Sequence, residues 1–167
     1  MTPLKLYLKQ LEKLYAGQKQ YADFYRWQQN RCRRLKIVSY KSNPELKETI
    51  EKIYGDFSKV KQNQCFHNAV TCCLNDPEFQ YIEGYISVHG LPLEHAWNRW
   101  RGIDIDLTQE ILGQRKCPHY EIFSLQRSTL MFWASRTEHS GPYMKEHYQY
   151  YVEQNNNEKL SNDAETK

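Results

Sequence analysis

Leu4, Leu8, Leu11 and Tyr15 recur at helical spacing along the first fifteen residues, and Gly17 follows the last of them as a stop. Residues 18–36, QKQYADFYRWQQNRCRRLK, carry Tyr21, Phe24, Tyr25 and Trp27 and predict a second helix. KIVSY, residues 36–40, is too short to assign to either period. Asn43 then stands as an N-cap before Pro44, and Leu46, Ile50, Ile53 and Tyr54 give the next helix its apolar stripe. After the polar link SKVKQNQ, a short helix is predicted from Cys65 to about Leu74, closed by Asn75-Asp76-Pro77.

Beyond Pro77 the period changes. EFQYIEGYISV, residues 78–88, alternates and is rich in Tyr and Ile, which predicts a strand broken or bulged at Gly84. HGLP is a turn, and EHAWNRW and GIDIDLT read as two further strands joined tightly around Arg101-Gly102. YEIFS, residues 120–124, is a fourth short strand. LQRSTLMFWASRT and PYMKEHYQYYVEQ return to helix, separated by Gly141-Pro142. The order is that of an α+β fold: helices, a small antiparallel sheet, helices. Residues 1–155 form a single domain in this reading, with a helical part to residue 61, a core over 62–125 and terminal helices over 126–155. Residues 156–167 are polar and expected to be a disordered tail.

Composition adds three points. No apolar run reaches the ~18 residues of a membrane-spanning helix. MTPLKLYLKQLEK lacks the apolar centre of a secretory leader. Five cysteines, at 32, 65, 72, 73 and 117, are odd in number and have no framework spacing. Together these lead to the expectation of a cytoplasmic protein with reduced thiols and no membrane partner. Charge is divided unevenly: residues 1–61 hold 14 Lys/Arg against 6 Asp/Glu, whereas the remainder is acidic. Arg26, Arg31, Arg33, Arg34 and Lys36 beside Trp27 are the natural candidates for a nucleic-acid contact, against the plainer alternative of a solvated helical face.

The chemistry centres on Cys65. A thiol is nucleophilic as thiolate, and the first turn of a helix offers it the positive end of the dipole and free N–H groups. A nearby imidazole takes the proton, and a carboxylate holds the imidazole in one orientation. His95 and Asp106 lie on neighbouring predicted strands and supply those groups. Asp104 shares the strand face of Asp106 by period two, so alternation alone leaves both open.

These residues also carry a resemblance. QCFHNAVTCC, GYISV, EHAWNRW and GIDIDLT, together spanning roughly residues 62–125, resemble the core of the transglutaminase-like branch of the papain-like cysteine enzymes, particularly its small bacterial and phage-type members. The resemblance implies a catalytic Cys at a helix N-terminus packed on a small antiparallel sheet. It makes Cys65 the nucleophile, His95 the base and Asp106 the orienting residue. Trp97 becomes the aromatic of the His strand and Thr108 the close of the Asp strand, with Leu107 where the family has Pro. The implied function is acyl transfer through a thioester: peptidase, isopeptidase, deamidase or amine transferase, on a protein or peptide substrate. No cofactor is implied.

Other residues enter with lesser roles. Gln64 and Gln62 are candidate side-chain oxyanion donors, with the backbone N–H of Cys65 the better one. Trp97 is expected to pack behind His95 and shield it. Cys72 and Cys73 read as core thiols, His67 as surface, Glu94 as solvent-facing, and Glu83 and Asn68 as undecided. A metal is not expected, because no Cys-x-x-Cys pair exists. The alternative function is a non-catalytic phage or mobile-element interaction protein that binds protein or nucleic acid through the basic front. Oligomeric state is not readable from the chain.

Overall fold

The computed structural model describes residues 1–111, 113 and 117–165. The chain opens with α1 (Pro3–Leu14), which starts where the Thr2 side chain accepts the Lys5 N–H at 3.3 Å and Pro3 occupies the first turn. A short connection leads to α2 (Lys19–Arg31), and the two helices pack on one another. α2 ends five residues earlier than the sequence predicts. Cys32 is buried at the turn, and β1 (Arg33–Leu35) pairs with a distant strand, so tertiary pairing overrides the helical reading of RCRRLK. α3 (Pro44–Tyr54) begins as expected, with the Asn43 side chain accepting the Leu46 N–H at 3.1 Å, and ends at Gly55, whose φ is 65°. α4 (Cys65–Asn75) begins on Cys65 itself.

Next come β2 (Phe79–Val88), β3 (Leu91–Trp100), β4 (Ile103–Ile105), α5 (Leu107–Ile111), β5 (His119–Leu125), α6 (Arg127–Thr137) and α7 (Met144–Glu165). The five described strands form one antiparallel sheet in the order β1-β5-β2-β3-β4. Both hairpins of its second half turn on two residues with positive φ, His89-Gly90 and Arg101-Gly102, the requirement of a type I′ turn that matches strand twist. The irregularity expected at Gly84 is present. The register against β5 shifts between Glu83 and Gly84, and a Cβ at residue 84 would lie 2.0 Å from the Tyr120 carbonyl oxygen. Only glycine admits that approach.

GIDIDLT, read as one strand, divides instead: β4 stops at Ile105, Asp106 caps α5, and Thr108 lies in that helix rather than closing a strand. Helix α7 likewise continues through residues 156–165, where composition predicts a tail; residues 166 and 167 lie outside the described residues. The core joins both halves of the chain, with Leu8, Leu46, Ile50, Phe79, Tyr81, Trp97, Trp100, Ile105 and Leu130 fully buried. Each such side chain contributes about 1.5–3 kcal/mol by leaving water. The basic front therefore belongs to the same packed body as the sheet. Among the described residues no helix is long and apolar enough to cross a membrane.

Candidate active site

Cys65 occupies the first position of α4 and is half-buried. The first intrahelical bond runs from the Asn68 N–H to the Gln64 carbonyl at 2.9 Å. The N–H groups of Cys65 and its immediate successors precede that bond and have no carbonyl of the helix to reach. The N-cap residue Gln64 makes no capping bond with its side chain. Gln64 and Gln62 are both exposed, which leaves the backbone amides as the donors nearest the sulfur.

Asn68, undecided from sequence, fixes this helix start. Its Oδ1 accepts the Lys61 N–H at 3.1 Å, while its Nδ2 donates to the Lys61 carbonyl at 2.8 Å and to Thr108 Oγ1 at 3.0 Å. One buried amide thereby clamps the loop that leads into α4 to the helix that begins beside Asp106. Behind it, the Tyr54 hydroxyl donates to the Asn68 carbonyl at 2.9 Å.

The structure brings His95 and Asp106 to the thiol. His95, on β3, has its Nε2 2.7 Å from Asp106 Oδ2, and the Cys65 sulfur is near enough to act on the same ring. With Nε2 committed to the carboxylate, Nδ1 is the ring nitrogen left for sulfur. Burial alone would pull the His95 imidazole down. The Asp106 carboxylate and the Cys65 sulfur outweigh it and raise the ring to about 10. At neutral pH this favours an imidazolium beside sulfur.

Asp106 is 2 % exposed and saturated with donors. Its Oδ1 accepts the Gln109 N–H at 3.1 Å, the cap of α5, and its Oδ2 also lies 2.8 Å from Nε2 of His119. Burial would raise this carboxyl, but the hydrogen bonds and charge of His119 and His95 hold it well below the usual carboxylate range. Asp104, its competitor in the sequence, is turned to other work: it pairs with Arg99 at 2.9 Å, and Arg99 also pairs with Glu121 at 2.7 Å.

Trp97 packs against both imidazoles. Its ring is nearly parallel to that of His95, at 6.4 Å between centroids, and edge-on to that of His119 at 5.1 Å. It is 1 % exposed and so walls the network from water. His119 is the member that sequence reading missed. It lies one residue ahead of YEIFS, and it reaches the site because β5 begins there, opposite Ile86 of β2 and Leu35 of β1. A strand extended by one residue was the available signal.

His95, Asp106 and His119 place three ligand atoms within 4.8 Å of one another, a set that a metal ion could address. Their separations of 2.7 and 2.8 Å are those of hydrogen bonds. Three tetrahedral ligands at zinc distances stand about 3.3 Å apart. The residues as arranged hold protons between them rather than an ion.

Three of the other thiols, Cys32, Cys72 and Cys73, are unsuited to catalysis. Cys72 and Cys73 are fully buried on α4, Cys72 pushed up to about 12 by burial and Cys73 higher still. Burial also raises Cys32. His67 and Glu94 are exposed, as expected. Of the basic residues, Arg26 pairs with Glu12 and Asp23 at 2.8 Å, and Arg33 with Glu121 at 2.5 Å. Arg31 stacks over Trp27 and Tyr151, while Arg34 and Lys36 are exposed.

Glu83 is wholly buried. Its Oε2 accepts the Tyr81 hydroxyl at 2.6 Å and the Tyr143 N–H at 2.8 Å, and its Oε1 accepts the Met144 N–H at 2.8 Å. It is thus the cap of α7, and a Cβ at Gly141, just before this cap, would lie 2.8 Å from the Tyr81 hydroxyl and 3.2 Å from the ring of Phe66, the neighbour of Cys65. Comparison with family models, with curated proteins and with solved structures finds no match for the chain.

Proposed function

We propose that this protein is a cysteine-dependent acyl-transfer enzyme, of the papain- and transglutaminase-like kind that its motifs resemble, and that it hydrolyses peptide or isopeptide bonds. The observation that carries the reading is the buried His95–Asp106 hydrogen bond beside a thiol at the open first turn of α4, whose sulfur acts on the His95 ring. His95 takes the proton of Cys65, and Sγ attacks the carbonyl carbon of an amide. The oxyanion is received by the free N–H groups at the start of α4. The C–N bond then breaks, the amine leaves with the proton that His95 returns, and the acyl group remains on sulfur as a thioester. Water, deprotonated by His95, attacks that carbonyl and releases the acid. An amine in the place of water would make the same site a transferase, and water is preferred because it is always at hand.

Nucleic-acid binding through the basic front has weaker support. Arg26 and Arg33 are already neutralised by carboxylates of the chain, and Arg31 is held over two rings.

Two measurements test the enzyme reading. Iodoacetamide at pH 6 is expected to label Cys65 well ahead of Cys32, Cys72 and Cys73, and His95→Ala is expected to remove that preference. p-Nitrophenyl acetate, a general acyl donor, is expected to leave one acetyl group on Cys65 by intact mass, and none in His95→Ala. Equal labelling of the thiols, or labelling indifferent to His95, would end the proposal.

A further inference from the structure

His119 is 2 % exposed, and its hydrogen bonds fix where its protons are. Nδ1 lies 2.8 Å from the Cys117 carbonyl, which can only accept, so Nδ1 carries hydrogen. Nε2 lies 2.8 Å from Asp106 Oδ2, and a bare nitrogen facing a bare carboxylate oxygen would set two lone pairs against each other. A proton therefore lies between them as well. The Asp106–His119 pair holds one proton more than a neutral imidazole and a carboxylate would hold together, and its net charge is zero.

We propose that His119 is a fourth member of the site, a positioning residue whose second proton cancels the charge of Asp106 and pins its Oδ2 toward His95. The inference rests on the cysteine-enzyme reading and deepens it. In a three-membered site, the buried carboxylate leaves a net negative charge beside the thiolate–imidazolium pair. Here the carboxylate still orients His95, but its charge is answered from its other side, and the four groups together are neutral. The thiolate is spared the repulsion of a buried anion behind its partner. The groups facing His119 are Asp106 and the His95 ring, at 6.0 Å between centroids, with Cys65 beyond His95. Its neighbours on the adjoining strands, Ile86 and Leu35, carry no charge.

Removing the imidazole adds one negative charge to the site, so thiolate formation at Cys65 moves to higher pH. The test is the pH profile of Cys65 alkylation by iodoacetamide, resolved by mass, in the full chain and in His119→Gln, His119→Phe and His95→Ala. Glutamine can keep one donor on Oδ2 without the charge, and phenylalanine keeps a ring against Trp97 without either. In both His119 variants the limb along which the rate rises with pH is expected to move up by about one unit. At the foot of that limb the rate falls about tenfold. Unmoved limbs, whatever happens to the melting temperature, would reduce His119 to packing and overturn the inference alone.

A wild-type profile that already matches an ordinary thiol, unchanged in His95→Ala, overturns the enzyme reading and this one with it. Nitrogen-15 NMR of the imidazoles gives an answer independent of reactivity. Both nitrogens of His119 are expected to carry hydrogen, and a bare Nδ1 would overturn the inference.

Discussion

Asp106 and Glu83 are both buried carboxylates, each accepting three hydrogen bonds, and the fold holds them at opposite ends of the acidic range. Asp106 is driven well below its usual value, whereas Glu83 rises to about 7. For both, burial is the largest influence and acts upward. What separates them is the character of the donors. Glu83 accepts from a tyrosine hydroxyl and two peptide N–H groups, all of them neutral. Asp106 accepts from one peptide N–H and two imidazoles, which can bring positive charge. Counting hydrogen bonds would make the two sites alike. The charge of the donors makes one a permanent anion suited to orienting a base, and the other a carboxyl that titrates near neutrality at a helix start.

The comparison breaks most visibly at Asp106→Asn. The amide keeps the volume but offers the imidazoles no negative charge. The pKa of His95 is expected to fall from about 10 toward ordinary histidine, because Asp106 is the foremost of the influences that raise it. Alkylation of Cys65 at pH 6, and turnover of any acyl substrate, are expected to fall about 10²–10⁴-fold. NMR titration of the His95 ring and the iodoacetamide rate check both. An unshifted His95 would mean that its proton is held by something other than Asp106.

Glu83→Gln probes the other carboxylate. Below about pH 4.5 Glu83 holds its proton in folded and unfolded chains alike. Between there and about 7 only the folded chain holds it, so this group's contribution to stability declines as pH rises through that window and levels off above. The glutamine variant is expected to lack this decline. At pH 7.5 it is expected to lose about 1–3 kcal/mol, because an amide cannot accept from all three donors. Urea melts at pH 5 and pH 7.5 measure both quantities, and a wild-type slope that persists in the variant would locate the decline elsewhere.

Tyr81→Phe is a milder form of the same experiment. It deletes a donor to Glu83 and leaves the ring packed. The cost is expected to be about 1 kcal/mol, and the pH window of Glu83 is expected to extend upward, since the lost hydrogen bond favoured the anion. A window that moved down would contradict the role given to the hydroxyl.

The two carboxylates also differ in how far the sequence announces them. Asp106 was legible only through the motif that its stretch resembles, since alternation left Asp104 equally open. Both I′ turns were legible for a similar local reason: His89-Gly90 and Arg101-Gly102 meet a backbone requirement inside two residues. Glu83 was not legible. The alternation of EFQYIEGYISV does not carry into burial: residues 81–86 of β2 are all buried, so neither face marks the direction of the Glu83 side chain. Nor could the sequence show that the start of α7, sixty residues on, would supply its donors. His119 was hidden by the same kind of distance, since it meets Asp106 only through the pairing of β5 with β2 and β1. The early end of α2 belongs here as well, because the strand that interrupts it exists only where β5 is already in place. Motif resemblance pointed to Cys65, His95 and Asp106, and local backbone chemistry to the turns; register wrote the rest.

The smallest expected effect is the one that tests whether position or partners make a catalytic carboxylate. Asp104 lies two residues before Asp106, at the period that first made the two equivalent. It is partly buried, and burial raises it while Arg99 opposes the rise. Its partner Arg99 also has Glu121, so Asp104→Asn leaves the guanidinium paired at 2.7 Å. A loss of less than about 1 kcal/mol is expected, with no change in the pH profile of Cys65 alkylation. A shift in that profile as large as the one caused by Asp106→Asn would mean that the site senses carboxylates through the general field of the sheet. An unchanged profile confines the effect to the one carboxylate in contact with His95, where two imidazoles answer its charge.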